Sequence, residues 1–413
     1  MRNAYILKAV RTPGCRYRRG KFANVRPDFL ASEALKGLFK RTGVDPERVE
    51  DVILGCSFPE GEQGMNVARM VAMNASLSYE IPGQTVNRFC ASGLQAISMA
   101  AERIMGGYAD CIVAGGTESM TKIPMGGKNF SASPELVGSW PGAYANMGIT
   151  AEKVAEKYNI SRERQDEFGL QSNRKALQAI EQGKFKEEII PVEVERTKVV
   201  NEKLEKTTEV VDIDDGPRDS TLEKMAKLKP AFGGEDGTMT AANSTPLTDG
   251  ASAVLVASEE WAKERNLPVL AYLTLADTAA VDYLGNSGHK EGLLMAPAYG
   301  VPRMLDKAGL SLQDFDYYEI HEAFAAQVLT TLKAWEDETF CRERLGRDAP
   351  LGKVDREKLN VKGSSLAAGH PFAATGGRIL ANAAKLLNEK GSGRCLISIC
   401  AAGGQGVMAI LEK

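Results

Sequence analysis

Short apolar runs alternate along the chain with longer amphipathic stretches, and this pattern predicts an α/β fold. Residues 5–10 are mostly apolar and end at Arg11-Thr12-Pro13, which predicts a first strand followed by a turn. The segment after Cys90 has apolar residues at helical spacing, which predicts a helix with one buried face: Leu94, Ile97, Ala101 and Ile104. Because strands and helices alternate, we expect a mainly parallel sheet with helices on its faces.

Three segments of this pattern recur once, in the same order. Each copy has a short capped helix leading into a strand, then a turn that opens a helix of small residues, then an apolar strand with a glycine-rich end. The paired segments are 42–54 with 308–320, 90–94 with 370–377, and 111–116 with 397–404. Ordered matching of three elements favours two related α/β halves over chance similarity of common elements.

Residues 119–248 interrupt this repeat. Between 150 and 190 the chain carries eight Lys or Arg and eight Asp or Glu residues, which is typical of helices with solvated faces. A stretch rich in Gly, Ser and Thr, 237–246, then leads into an apolar strand at 253–256. We therefore predict an N-terminal half of residues 1–118 and 249–268, an inserted loop domain of 119–248, and a C-terminal half of 269–413.

Composition argues against a nucleic-acid-binding protein and against a membrane-spanning one. The 413 residues include 51 Lys and Arg against 54 Asp and Glu, a formal charge of −3, so a dedicated nucleic-acid binder is not expected. No apolar run approaches the ~20 residues of a membrane-spanning helix. The first 27 residues hold eight basic and no acidic residues, as in a transit peptide, but the strand predicted at 5–10 favours a structural segment.

The cysteine and histidine content limits the possible chemistry. Seven cysteines, an odd number scattered over a long chain, indicate a reducing compartment, and we expect a cytoplasmic protein. No spacing of Cys and His residues supports a metal site. The chain has three histidines, His289, His321 and His370, and His289 lies outside any motif and is expected in a surface loop.

Two cysteines and two histidines are predicted to lie at the ends of strands or helices. Cys90 precedes a helix whose positive end favours a thiolate, although a buried structural cysteine is the alternative. The equivalent turn of the other half carries His370, so the two side chains meet if the halves pack about a pseudo-twofold axis. Cys400 and His321 each mark the end of a further predicted strand. This convergence points to covalent acyl transfer.

The chain resembles the thiolases over essentially its whole length. Six motifs stand in the family's order, at residues 11–13, 87–93, 114–120, 147–152, 369–371 and 400–406. The resemblance implies the family's fold, in which two duplicated α/β halves form five αβαβα layers and an inserted loop domain binds CoA. It also implies acetyl-CoA C-acyltransferase activity.

The resemblance assigns roles to the converging residues. It makes Cys90 the acylated nucleophile, His370 its base and Cys400 the general acid and base for the second proton. The backbone N–H groups of Cys90 and Ala402 are expected to hold the acyl oxyanion, although the family usually has Gly at the latter position. His321 stands where many thiolases have Asn, and His at this position resembles the thiolase subunit of fatty-acid oxidation complexes. The family's Asn positions a water that, with His370, forms the oxyanion hole for the enolate, and an imidazole donor can take that role.

The resemblance also implies a CoA path on the inserted loop domain. Its expected contacts are Met147, Leu228, Phe232, Ala241, Ser244 and Phe324 along the pantetheine, with Arg218 near the nucleotide phosphates. Core packing is the alternative for Phe232 and Met147. CoA and acyl-CoA are expected as substrates, with no permanently bound cofactor and no metal. A homodimer or homotetramer is expected, with a hydratase or dehydrogenase subunit as a further candidate partner.

These inferences predict a 3-ketoacyl-CoA thiolase of fatty-acid β-oxidation. Three alternatives stay open at this stage: an acetyl-CoA C-acetyltransferase that makes acetoacetyl-CoA, a ketoacyl synthase, and a non-catalytic CoA- or lipid-binding scaffold. Cys400 and the Gly-His-Pro motif around His370 argue against the synthase. The chain's 41 glycines exceed the usual share, and those at Gly403 and Gly404 are expected to be needed for turnover more than glycines of the insertion.

Overall fold

The computed structural model describes residues 2–200, 203–283 and 291–413. Twelve strands occur in this part of the chain: β1 (Ala4–Arg11), β2 (Cys15–Arg16), β3 (Asp51–Gly55), β4 (Gly83–Val86), β5 (Cys111–Ser119), β6 (Val192–Val200), β7 (Lys203–Val211), β8 (Thr248–Ser258), β9 (Ala271–Ala280), β10 (Tyr317–Ile320), β11 (Arg394–Ala401) and β12 (Gln405–Glu412). The first of them confirms the strand predicted at residues 5–10.

Thirteen α-helices lie in the same described ranges: α1 (Pro27–Thr42), α2 (Val67–Asn74), α3 (Ser92–Met105), α4 (Pro134–Ser139), α5 (Met147–Lys157), α6 (Arg162–Glu181), α7 (Leu222–Ala226), α8 (Glu259–Glu264), α9 (Ala296–Ala308), α10 (Ala325–Glu336), α11 (Glu338–Leu345), α12 (Ser365–Ala368) and α13 (Thr375–Lys390). α5 and α6 are the charged helices predicted between 150 and 190. In α3 the four apolar residues predicted to form its inner face are fully buried. Within the described residues no helix is long and apolar enough to cross a membrane.

One large sheet runs in the order β10-β11-β12-β9-β1-β8-β5-β3-β4, with β2 paired to β8, and β6 and β7 form a separate hairpin. Parallel pairing is found between β3 and β4, β3 and β5, and β10 and β11, whereas the other pairs along this order are antiparallel. The prediction of a mainly parallel sheet is therefore wrong. A short hairpin joins β11 to β12, and such a connection produces only antiparallel neighbours.

Three buried apolar clusters define the layers. One lies between α1, α2 and the strands of the first half, and a second lies between α9, α10 and the strands of the second half. The third is central and combines residues of α3 and α13 with residues from strands of both halves. The sheet is continuous through the pairing of β1 with β9, and its two halves form separate layers on either side of α3 and α13. The order of layers is thus helices, sheet, central helices, sheet and helices, which confirms the five-layer αβαβα prediction.

The repeat is visible in the backbone. β3 pairs with β5 as β10 pairs with β11, and each half has a 3₁₀ turn, Phe89–Ala91 or Phe372–Ala374, that leads into a central helix. Phe89 and Phe372 both have positive φ, +46° and +28°, which is rare for aromatic residues. Because Phe89 corresponds to Phe372, Cys90 corresponds to Ala373. His370 therefore lies three residues before the position that matches Cys90.

Glycines allow the two central turns to approach each other. A Cβ atom on Gly93 would lie 2.2 Å from the carbonyl oxygen of Ala373, and one on Gly116 would lie 2.1 Å from the same oxygen. At the start of α13, a Cβ on Gly376 would lie 2.2 Å from the backbone nitrogen of Leu94. A side chain at Gly93 or Gly376 would push the starts of α3 and α13 apart, and one at Gly116 would push β5 away from the turn at Ala373.

A buried ion-pair cluster fastens the inserted region to β1. The Arg11 guanidinium donates to both carboxylate oxygens of Asp214, at 2.7 and 2.9 Å, and its Nε donates to Glu188 at 2.8 Å. All three side chains are almost fully buried. Removing one member would leave an uncompensated charge in the interior, which costs about 3–5 kcal/mol.

Candidate active site

Cys90 lies at the start of α3, in the 3₁₀ turn Phe89–Ala91, and is 5 % exposed. Burial raises the pKa of the Cys90 thiol to about 12, and the backbone N–H groups of Ala402 and Cys90, which hydrogen-bond the sulfur, oppose this only in part. The resting thiol is therefore protonated. The prediction that the helix terminus favours a thiolate is wrong for the resting protein, because desolvation outweighs the helix-end donors.

The same two N–H groups form a small backbone pocket beside the sulfur. Ala402 follows β11 in a tight turn whose next residues, Gly403 and Gly404, have φ values of +75° and +69°. These left-handed conformations aim the N–H of Ala402 at Cys90 from the opposite half. Two backbone donors that converge on one point suit an oxygen that becomes negative when the sulfur attacks a carbonyl.

His370 is buried on the turn between α12 and α13. Its backbone N–H donates to the hydroxyl of Thr248 at 2.9 Å, and its Nδ1 lies 2.6 Å from the hydroxyl of Thr375. Burial holds the pKa of His370 well below its usual value, and the charges of His321 and Arg378 lower it further. The ring is therefore neutral, and its Nε2 is buried without a partner among the described residues.

His321 directly follows β10 and lies beside His370 with the two rings tilted by 44°. The ring centroids are 4.3 Å apart, and the His321 Nδ1 lies 2.8 Å from the hydroxyl of Ser365. Burial, with a smaller contribution from the charge of Arg378, lowers the pKa of His321 to about 3. Cys90, His321 and His370 each bring one sulfur or ring nitrogen to within 4.8 Å of the others. The predicted meeting of Cys90 with both histidines is thus present in the structure.

Cys400 is the next-to-last residue of β11 and is 1 % exposed. Burial raises its pKa well above the usual value, and the nearby Cys90 sulfur adds to this effect. The structure therefore brings the second thiol close to the first. Both thiols are protonated at neutral pH, so each is able to give up a proton only to a base placed next to it or to a strongly basic substrate carbon.

Three of the predicted CoA contacts surround one cavity of about 220 Å³. Arg218, Leu228 and Ala241 line it together with Lys224 and Leu366. Leu366 is the sequence neighbour of Ser365, whose hydroxyl contacts His321. The cavity has the mixed apolar and basic lining that an extended, negatively charged ligand requires.

The other four predicted CoA contacts lie nearer the thiols. Met147, Phe232 and Phe324 belong to the apolar cluster that contains Cys400, and the rings of Phe232 and Phe324 meet edge to face at 6.2 Å. The backbones of Ser244 and Phe324 pair as an isolated antiparallel β-bridge. The buried hydroxyl of Ser244 has no partner among the described residues. Met147, Phe232 and Phe324 thus pack in the same cluster as Cys400, which is the packing alternative considered for Met147 and Phe232.

The sequence analysis did not single out several residues around the site. Arg16 and Arg19 lie close enough to lower the pKa of Arg218, after the larger effect of burial, and so add positive charge at that cavity. Their signal in the sequence was the basic run at 16–19, within the first 27 residues that hold no Asp or Glu. Ser365 and Arg378 carried no signal, because they act only through hydrogen bonds formed in the fold. The surface position predicted for His289 falls outside the described residues.

Comparison with known proteins supports a single family. The thiolase N-terminal domain matches residues 4–260, and the thiolase C-terminal domain matches residues 273–413. The 3-ketoacyl-CoA thiolase of Bacillus subtilis is 37 % identical over 415 residues, with all of both chains covered. The peroxisomal 3-ketoacyl-CoA thiolase 1 of Arabidopsis thaliana is 38 % identical over 418 residues, covering 99 % of this chain and 87 % of the relative.

Solved structures agree with these relatives. The crystal structure of Bacillus anthracis acetyl-CoA acetyltransferase has a TM-score of 0.82 at 36 % identity, covering all of this chain and 99 % of its own. That of human mitochondrial 3-ketoacyl-CoA thiolase has a TM-score of 0.83 at 31 % identity, with the same coverage. The chain belongs to the thiolase family of acyltransferases.

Proposed function

We propose that this thiolase cleaves 3-ketoacyl-CoA with CoA, giving acetyl-CoA and an acyl-CoA shortened by two carbons, in fatty-acid β-oxidation. One observation carries the proposal: a buried thiol, Cys90, lies within reach of two neutral imidazoles and a second thiol, Cys400. Relatives named 3-ketoacyl-CoA thiolase at 37–38 % identity over nearly the full chain support the choice of substrate.

In the first half-reaction Cys90 attacks the C3 carbonyl of the substrate. His370 Nε2 takes the thiol proton as the C–S bond forms, because the resting thiol is not ionised. The N–H groups of Cys90 and Ala402 hold the oxygen that becomes negative. The C2–C3 bond then breaks, and its electron pair stays on C2 as the enolate of acetyl-CoA. The Cys400 thiol protonates C2, which leaves an acyl-Cys90 and a Cys400 thiolate.

In the second half-reaction CoA replaces acetyl-CoA. The Cys400 thiolate takes the proton of the CoA thiol, and the CoA sulfur attacks the acyl carbonyl. The bond to the Cys90 sulfur breaks, and the proton held by His370 returns to that sulfur. Each proton is thus handled by a separate group, and atoms and charge balance over the cycle.

Mass spectrometry and thiolysis assays test this proposal. After mixing with a 3-ketoacyl-CoA in the absence of CoA, the acyl mass should be found on Cys90, and Cys90→Ala should lose thiolysis. Cys341→Ala is the matched control, since Cys341 is also buried but lies in α11, outside the site. Thiolysis that survives in Cys90→Ala would overturn the proposal. Turnover restricted to acetoacetyl-CoA across a chain-length series would instead favour an acetyl-CoA C-acetyltransferase.

The CoA contacts predicted from the family fit the same reaction. We infer that Arg218 binds the nucleotide phosphates of CoA, and that the pantetheine runs past Ala241 and Ser244 toward Cys400. The cavity lined by Arg218, Leu228 and Ala241 supports this path, as does the position of Phe324 beside Ser244. No permanently bound cofactor takes part in the proposed reaction.

We also infer that the protein is a homodimer or homotetramer. Support comes from β4, which lies at the edge of the large sheet, beside exposed apolar side chains. Met65 and Tyr79, which flank α2, are 84 % and 81 % exposed. An unpaired edge with large apolar neighbours favours pairing with a second copy. Light scattering after size exclusion should give a multiple of 44.5 kDa, and a monomer at micromolar concentration would contradict this inference.

Two finer points complete the proposal. The seven cysteines of the chain are buried and free of disulfides, which fits a reducing compartment, and we place the protein in the cytoplasm. A subunit with hydratase or dehydrogenase activity is a candidate partner, since those reactions make the 3-ketoacyl substrate. Purification of the native protein with co-eluting hydratase activity would support that partner.

A further inference from the structure

Two buried imidazoles of similar geometry face the reacting groups, yet the proposed reaction requires different things of them. His370 has to accept a proton at Nε2. His321, which stands in the place of the family's Asn, has to donate a hydrogen bond toward the oxygen of the acetyl-CoA enolate that forms when the C2–C3 bond breaks. Both Nε2 atoms are buried and without partners among the described residues. The ring itself does not decide between these roles, because a neutral imidazole has one N–H and one lone pair, and either nitrogen can carry the proton. The partner at Nδ1 therefore sets the role.

The partner of His321 is the hydroxyl of Ser365, and this hydroxyl is in turn held by Arg378. Arg378 Nη2 lies 2.7 Å from Ser365 Oγ, and Ser365 Oγ lies 2.8 Å from His321 Nδ1. Ser365 is fully buried, and Arg378 is 5 % exposed. In the described chain, these two side chains account for the hydrogen bonds of this hydroxyl. The three groups thus form a short chain that is closed to solvent.

The direction of the hydrogen bonds in this chain follows from the donors. A guanidinium only donates, so Ser365 Oγ accepts from Arg378. The single hydroxyl proton of Ser365 is then directed to His321 Nδ1, which accepts it with its lone pair. If His321 Nδ1 carried a proton, the hydroxyl would accept twice and its own proton would be left buried without an acceptor, at a cost of about 1–3 kcal/mol.

We infer that Arg378 and Ser365 are positioning residues that fix His321 as the tautomer with its proton on Nε2. This places an N–H donor, rather than a lone pair, in front of the reacting carbons. It makes His321 unable to act as a base or as a metal ligand through Nε2, so the cluster of Cys90, His321 and His370 does not form a complete metal site. The inference deepens the proposed function and rests on it for the role of the donor.

His370 receives the opposite assignment. Its Nδ1 lies 2.6 Å from Thr375 Oγ1, and within the described chain no arginine or lysine donates to that hydroxyl. Thr375 Oγ1 is therefore free to accept the Nδ1 proton, which leaves a lone pair on His370 Nε2 for the Cys90 proton. Arg378 thus donates to the hydroxyl that contacts His321 and not to the one that contacts His370. This difference makes His321 the hydrogen-bond donor and His370 the base.

Nitrogen NMR of the resting protein tests the tautomers directly. The chain has three histidines, so ring-¹⁵N-histidine labelling gives three sets of signals, which His289→Gln and His321→Asn assign. We expect His321 to show a protonated Nε2 and an unprotonated Nδ1 at pH 7, and His370 to show the reverse. A protonated Nδ1 on His321 in the wild-type protein would overturn the inference. Because no substrate is needed, this result is separate from whether the protein performs thiolysis.

Two substitutions at Ser365 supply the second test. Ser365→Ala should lose the unique His321 tautomer and slow deuterium exchange into the methyl group of acetyl-CoA at least ~10-fold, while acylation of Cys90 changes less than twofold. Ser365→Thr keeps the hydroxyl and should restore both the tautomer and the exchange rate. An unchanged His321 spectrum in Ser365→Ala, or equal loss of acylation and exchange, would refute the positioning role. Wild-type protein with the expected tautomers but no thiolysis would instead refute the proposed function.

Discussion

Replacing Gly116 by alanine tests whether the close approach of the two halves positions the active site. Gly116 lies in β5, and a Cβ atom there would sit 2.1 Å from the carbonyl oxygen of Ala373 and 2.6 Å from its carbonyl carbon. Both neighbours are backbone atoms, so no side-chain rotation relieves the clash. Ala373 belongs to the turn between His370 and Thr375, which are hydrogen-bonded to each other.

The size of the effect follows from the overlap. An ordinary contact requires roughly 3.4 Å, so the turn that carries Ala373 has to move by about 1 Å. A displacement of that size at a catalytic group costs about 100-fold in rate, or about 2.7 kcal/mol in the transition state. Overpacking also lowers the free energy of unfolding by about 1–3 kcal/mol. We therefore expect Gly116→Ala to fold with a lower Tm and to lose about 100-fold in kcat/KM.

Thiolysis kinetics and thermal unfolding together check this expectation. Gly138→Ala is the matched control, because Gly138 lies in α4 of the inserted region with no atom within 4 Å of an added Cβ. It should change kcat/KM by less than twofold. If Gly116→Ala folds and keeps activity within twofold of Gly138→Ala, the glycine contact does not position His370, and the reasoning fails.

Further predictions concern the thiols and the CoA cavity. Cys400→Ala should still form acyl-Cys90 when the donor is an acyl-CoA, because the leaving group is then a thiolate and not a carbanion, but lose at least ~100-fold in deuterium exchange at the methyl of acetyl-CoA; equal loss of both steps would contradict separate roles. Because burial raises the pKa of Cys90 to about 12, its alkylation by iodoacetamide should rise with pH up to at least pH 10, and a plateau below pH 8 would reveal a preformed thiolate. Arg218→Ala and Arg19→Ala should each raise KM for CoA several-fold with little change in kcat, and more so at low salt; an unchanged KM in both would remove the phosphate assignment.

The duplicated pattern predicted that Cys90 and His370 meet, although His370 lies three residues before the position that matches Cys90. Equivalent turns of related halves face each other across a pseudo-twofold axis, and this holds whichever strands separate them. Strand direction could not be predicted in the same way. Strands such as β5 and β8 are buried along their whole length and show no alternation of buried and exposed positions, so their pattern is the same in parallel and antiparallel pairs.

The protonation of the site was also beyond the sequence. A helix terminus beside Cys90 is visible in the pattern, but the depth of its burial depends on packing by the second half, and burial decides the pKa. The link from Arg378 through Ser365 to His321 joins residues from three separate elements. Neither spacing nor composition signals such a link, because the three residues are separated in the sequence and form their hydrogen bonds only in the folded protein.

The position of β8 has a consequence for synthesis of the chain. β8 lies between β1 and β5, so the sheet of the first half stays incomplete until Ser258 has left the ribosome. His370 follows Cys90 by about 280 residues, which takes roughly 14–56 s at 5–20 residues per second. During that interval the nascent chain holds a nucleophile without its base. Acyl transfer therefore begins only when the last third of the protein has been made and has docked.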